Sequence, residues 1–189
     1  MNMKLFWAVF VLLLGGCSTY TLVESHEVAV CDLYSVTPRN QWSEIKKGDV
    51  RLWTVDGAEL ESIRFICDVR EGVPVMDITE DKHETPFRPD MTETELADAV
   101  VNAISLSGGQ QVKARNLRPA RFGERDGFRF ELSFMTDEGL KKEGAVVGAV
   151  VDKALYLIIY TGAAIYYFPK YSPDFEEVVS SIEIRKTAR

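Results

Sequence analysis

The sequence predicts an α+β fold, an antiparallel β-sheet with helices packed on it, and three stretches carry that expectation. Phe128, Phe130, Leu132 and Phe134 alternate with Arg129, Glu131, Ser133 and Met135, the period of a strand with one buried and one wet face. The run from Ala154 to Thr161 is apolar enough for a central strand covered on both sides. Thr92-Glu93-Thr94-Glu95 is a capping box that opens a helix between two groups of strands, not between each successive pair as in a βαβ chain. With 189 residues, 46% hydrophobic and 27% charged, the chain has the size and composition of one globular domain.

A leader precedes that domain. Lys4 is followed by ten apolar residues, Leu5 to Leu14, and then by Gly15, Gly16 and Cys17. A spanning helix needs about 20 such residues and a signal-peptide core roughly 7–15, so residues 1–16 are expected to be a cleaved export signal. Leu14-Gly15-Gly16-Cys17 resembles the lipobox of bacterial lipoproteins, in which the cysteine thiol takes a diacylglyceryl group and the leader is cut just before it. The resemblance implies lipidation at Cys17, a polar tether over 17–21 and a single α+β domain over 22–189. In those lipoproteins Ser after the cysteine goes with outer-membrane sorting, so Ser18 implies a cell-envelope address on the periplasmic face of the outer membrane. The membrane is then a partner through the lipid, since burial contributes about 0.8 kcal/mol per CH₂ and two or more chains anchor stably.

Lys and Arg number 22 against 29 Asp and Glu, a net charge of −7. Loss of the leader, whose only charged residue is Lys4, makes the domain more acidic still. That balance argues against nucleic acid, which needs clustered cations. It suits a cationic protein partner at the envelope or bridging divalent ions, and it also serves plain solubility.

Along the domain, Glu27 to Val36 reads as a first strand ended by Pro38, followed by a polar stretch to Asp49. Arg51–Val55 and Leu60–Val69 flank Asp56-Gly57 as a hairpin, with Ile63, Phe65 and Cys67 on one face and Trp53 packing where the hairpin meets the core. Residues 71–89 are turn-rich and acidic. The capped helix then places Leu96, Val100, Ala103 and Ile104 at helical spacing and stops at Gly108-Gly109. Val112–Leu117 is a strand, Asp126-Gly127 a tight turn before the Phe128 strand, and Asp152-Lys153 a turn between Leu140–Val151 and Ala154–Thr161. A last helix is expected with Ser172 as its cap and Pro173 at its first position, and Ile182 and Ile184 would close the sheet.

The helix Glu95–Leu106, Gly127-Phe128-Arg129-Phe130-Glu131, the glycine-bearing strand at Gly144, Tyr156-Leu157-Ile158-Ile159-Tyr160 and the aromatic approach to Phe175-Glu176-Glu177-Val178-Val179 together resemble the PsbP-like fold, over roughly the last half of the domain. That family is named for the extrinsic photosystem II proteins and shared by many bacterial proteins. The resemblance implies an antiparallel sheet sandwiched by helices and a non-enzymatic binding or assembly role, and it carries over no functional residue and no cofactor.

The residues themselves offer few chemical groups. His26 and His83 are the two histidines, too few for a three-histidine zinc site, and the common nucleotide, zinc-protease and serine-hydrolase motifs are absent. His83 between Asp81 and Glu84 has the makings of a general base in a hydrolase-like envelope enzyme, although adjacent charges in a proline-flanked stretch are ordinarily solvated. Asp77, Glu80, Asp81 and Glu84 form a candidate binding surface, but their irregular spacing is poor for calcium, and no metal is expected. Tyr166 and Tyr167, in an aromatic group with Tyr156, Tyr160, Phe168 and Tyr171, are the other candidates, as contact surface or as packing beneath the last helix. Cys31 and Cys67 remain as an even pair, either bridged or buried as free thiols.

Overall fold

The computed structural model describes residues 20–47, 50–76 and 84–185. The expected leader, Cys17, Asp77, Glu80, Asp81 and His83 lie outside these residues.

The chain forms the antiparallel α+β sandwich that the alternation of Phe128–Met135 and the apolar run at Ala154 demand. Its elements are β1 (Tyr20–Val23), β2 (Val28–Ala29), β3 (Tyr34–Val36), β4 (Trp42–Lys47), β5 (Val50–Thr54), β6 (Glu61–Val69), α1 (Glu93–Leu106), β7 (Gln110–Phe122), β8 (Arg125–Met135), β9 (Lys141–Val151), β10 (Ala154–Ala163), α2 (Tyr167–Ser180) and β11 (Glu183–Ile184). Eight strands make one sheet in the order β1-β4-β5-β6-β10-β9-β8-β7, and β11-β3-β2 make a small second sheet.

β10 is central because both of its faces must be covered. Leu155, Leu157 and Ile159 point into the core under α1, while Tyr156, Ile158 and Tyr160 point into the core under α2 and the small sheet. Each fully buried Leu or Phe in these layers contributes about 1.5–3 kcal/mol by leaving water. The β9–β10 turn is tight because Asp152 and Lys153 both take positive φ, 49° and 63°, the pair of left-handed residues that a two-residue hairpin uses. α1 begins at Thr92, whose Oγ1 accepts from the Glu95 amide at 3.2 Å while Glu95 Oε2 accepts from the Thr92 amide at 2.8 Å. It buries Leu96, Val100, Ala103 and Ile104.

Several elements differ from the sequence reading. The strand expected over 27–36 is a hairpin of β2 and β3, because the Val30 and Cys31 amides both turn back onto the Tyr34 carbonyl. The polar stretch before Asp49 contains β4, anchored by the fully buried Trp42, and β1 pairs with it, so Tyr20 and Thr21 of the expected tether are already in the sheet. Asp126-Gly127 is strand, not turn: the reversal is at Gly123, with φ +57°, and Gly127 is required because a Cβ there would overlap the Gly148 carbonyl oxygen. α2 starts at Tyr167, so Ser172 and Pro173 are interior, and Ser172 Oγ donates to the Phe168 carbonyl at 2.6 Å instead of capping. Ile184 joins the small sheet against Tyr34, not the large one. The outer face of β8 is only half wet, because α2 leans over Arg129.

Candidate functional site

At one end of the sheet, the β5–β6 connection meets the entry to α2. Glu61, the first residue of β6, is wholly buried, and its Oε1 accepts from the amides of Val55 at 2.6 Å and Asp56 at 2.8 Å. The Thr54 hydroxyl lies 2.8 Å from the Glu61 carboxylate and accepts from the Gly57 amide at 2.9 Å. Burial pushes the Glu61 pKa up, and the amide and hydroxyl donors pull it back. A buried carboxylate thus holds the turn that presents Asp56.

Asp56 reaches across to α2. Its Oδ2 accepts from the Tyr171 hydroxyl at 2.6 Å and from Lys170 Nζ at 2.8 Å, and these two donors hold its carboxyl below the usual range. The Lys170 ammonium also lies 4.6 Å from the Tyr171 ring centroid, 5.3 Å from that of Tyr166 and 5.8 Å from that of Tyr167. Beneath them the Tyr160 hydroxyl is 2.9 Å from the carbonyls of both Tyr167 and Phe168, and its ring stacks on Phe168 and Phe175. Burial raises the Tyr160 pKa, so the hydroxyl remains a donor. This frame holds out a tip: Ile165 is 96% exposed and Tyr166 58% exposed, with Tyr166 set edge-on against Tyr167. Chemically it is an exposed apolar and aromatic surface beside an ion pair, Lys170 with Asp56, that is internally neutralised.

The aromatic group picked out by sequence therefore divides. Tyr156, Tyr160 and Tyr171 are core, Tyr167 and Phe168 are half-buried, and Tyr166 is surface. Of the acidic candidates Glu84 is described, and it is 7% exposed, so it is not part of a solvated face. Its neighbours Val75, Met76 and Phe87 pack under α1, and the Val75 and Phe87 amides bond the Thr85 and Val73 carbonyls, which draws this end of the loop inward. Cys31 and Cys67 are joined as a disulfide with Cα atoms 5.9 Å apart. Among the described residues no three His, Cys, Asp or Glu side chains cluster as a metal site.

The acidic net charge of the chain conceals a basic segment. Residues 110–129 contain six Lys and Arg against only Glu124 and Asp126. The signal was the local run Lys113, Arg115, Arg118, Arg121, diluted by the acidic remainder. Glu61 and Asp56 were missed for another reason: their partners are backbone amides and a side chain 114 residues away, which no local pattern encodes.

The layered sheet, with one helix on each face, defines a protein of the PsbP-like fold. The solution structure of cyanobacterial PsbP (CyanoP) from Synechocystis is similar to it, with a TM-score of 0.54 and 13% identity over 90% of this chain and 95% of that one. No family model matches the sequence, and no curated protein matches it. Among the described residues no helix is long and apolar enough to cross a membrane.

Proposed function

We propose that this chain is a lipid-anchored cell-envelope protein that binds or helps assemble a protein partner and performs no chemistry of its own. The observation that carries the reading is the tip. An isoleucine and a tyrosine stand in solvent on a frame of hydrogen bonds and stacked rings, which is how a contact surface is presented without loss of order on binding. The lipobox at Cys17 and the Cys31–Cys67 bridge support export to an oxidising compartment. The PsbP-like fold supports a binding role by analogy alone.

Two experiments test it. Metabolic labelling with a fatty-acid analogue marks the wild type and not Cys17→Ser, and equal labelling of both removes the anchor. A photo-crosslinking residue at Tyr166 yields a discrete adduct in intact cells, whereas the same residue at Lys46, exposed on β4, does not. Equal adducts from both positions remove the tip.

A further inference from the structure

β7 is an edge strand, bonded on one side only to β8. Its register places Lys113 opposite Ser133, Arg115 opposite Glu131 and Arg118 opposite Arg129. Directly paired residues share a face, so Lys113, Arg115, Arg118 and Arg129 all point to the α2 side. Arg115 and Arg118 are three apart and in a regular strand would point to opposite faces. The bulge between them prevents this: Asn116 takes φ +54°, its side chain donates to Glu131 Oε2 at 2.8 Å, and the extra residue returns Arg118 to the face of Arg115.

The row is also incompletely used. Arg129 holds the α2 carboxylate of Glu176 by two hydrogen bonds, 2.6 and 3.1 Å, and on the opposite face Arg121 pairs with Asp126. Among the described residues Lys113 and Arg115 form no ion pair, and the Arg118 guanidinium bonds only the Asn116 carbonyl at 3.1 Å. One member of an aligned row thus shows the geometry of carboxylate capture, and three exposed neighbours present the same charge with no ion pair among the described residues, although Glu131 lies opposite Arg115 and accepts from Asn116.

We propose that Lys113, Arg115 and Arg118 form a docking strip for an extended, Asp- and Glu-rich segment of a partner protein. The strip lies beyond the tip: Lys113 shares a cross-sheet row with Ser133, Glu143 and Gly162, three strand spacings or about 14 Å from β10. An acidic polypeptide fits better than an anionic bilayer. The strip is one strand wide, and its three cations follow one another along a single face of β7, which matches the side-chain spacing of an extended segment and not a plane. Lysine, arginine, Pro119 and bulges also shield an edge strand from aggregation, a role that requires no alignment on one face.

The test uses the purified full-length chain and a fluorescent octaglutamate peptide. Wild type binds the peptide, binding weakens with salt, and octaglutamine does not bind. R115A/R118A weakens binding by about tenfold, while R121A/K46A, which removes the same charge elsewhere, changes it by less than about twofold. Circular dichroism establishes that both variants fold, and Lys113→Ala, at an exposed position, gives a smaller loss should the double variant unfold. Equal losses in the two doubles would reduce the effect to net charge and overturn the strip. So would absence of peptide binding, or preferential binding to phosphatidylglycerol vesicles that R115A/R118A abolishes.

Discussion

The two faces of the eight-stranded sheet are built from different side chains. Under α1 the core is Leu, Val, Ile, Ala, Met and Phe, with no buried Tyr or Trp among the described residues. Under α2 and the small sheet it contains Trp42, Trp53, Tyr34, Tyr156, Tyr160 and Tyr171. The first face is held by non-directional packing. The second adds directional bonds: Tyr160 to the α2 backbone, Tyr171 to Asp56, Tyr156 to Asp68 at 3.2 Å, and Arg51 to the Ala29 and Val30 carbonyls of the small sheet. The tip and the basic strip both lie on this aromatic side. Packing against an aliphatic face fills space, whereas aromatic rings with polar handles fix orientation, which a binding surface needs.

The largest break in this comparison should come from the aliphatic face. Leu157→Ala, at a fully buried position, should lower unfolding free energy by about 2–5 kcal/mol in urea titration, with little effect on tip crosslinking. Removal of the disulfide by C31S/C67S opens a connection of 36 residues between the small sheet and β6 and should cost about 2–4 kcal/mol, measured without reductant. Tyr160→Phe keeps the ring and removes the one hydroxyl proton shared between the Tyr167 and Phe168 carbonyls, the second of which still accepts from Ser172 Oγ. A loss of about 1 kcal/mol, together with faster hydrogen exchange at the start of α2, is expected; unchanged exchange would mean that the handle does not orient the helix.

Acid sharpens the contrast inside the site. Asp56 has a depressed folded pKa, so its contribution is complete above its ordinary value of 3.8 and is lost as pH falls through the lower folded value. Glu61 has a raised folded pKa, so the stability it confers is present below its ordinary value of 4.5 and declines as pH rises through the folded one. Asp56→Asn should therefore flatten the acid limb of a stability–pH curve, and Glu61→Gln should flatten the decline above it. Two curves of the same shape would break the assignment. The smallest stability effect is expected for Tyr166→Ala, within about 0.5 kcal/mol of wild type, although it should remove the partner adduct of a crosslinker placed at Ile165.

What was legible followed from local chemistry. The α1 capping box, the Asp152-Lys153 turn and the two-faced burial of β10 are written in adjacent residues, and the structure has each of them. Misreadings arose where one residue type serves two purposes. Gly127 looks like a turn glycine but is needed for close approach of β9, and Ser172-Pro173 looks like a helix start but lies within α2, whose first residues pack on Tyr160. The site was legible as a group of tyrosines and illegible as a geometry, because Asp56, Glu61 and Lys170 meet only through the fold.

β1 and β7 are the opposite margins of one continuous sheet. Seven strand spacings separate them, about 33 Å. Tyr20, the first residue of β1, follows Cys17 by three positions. A lipid on that cysteine, as proposed, would hold one margin at the bilayer, and the sheet would act as a ruler, setting how far from the membrane the basic margin could meet the proposed acidic segment. Lengthening the segment between Cys17 and Tyr20 would change that reach without altering either surface.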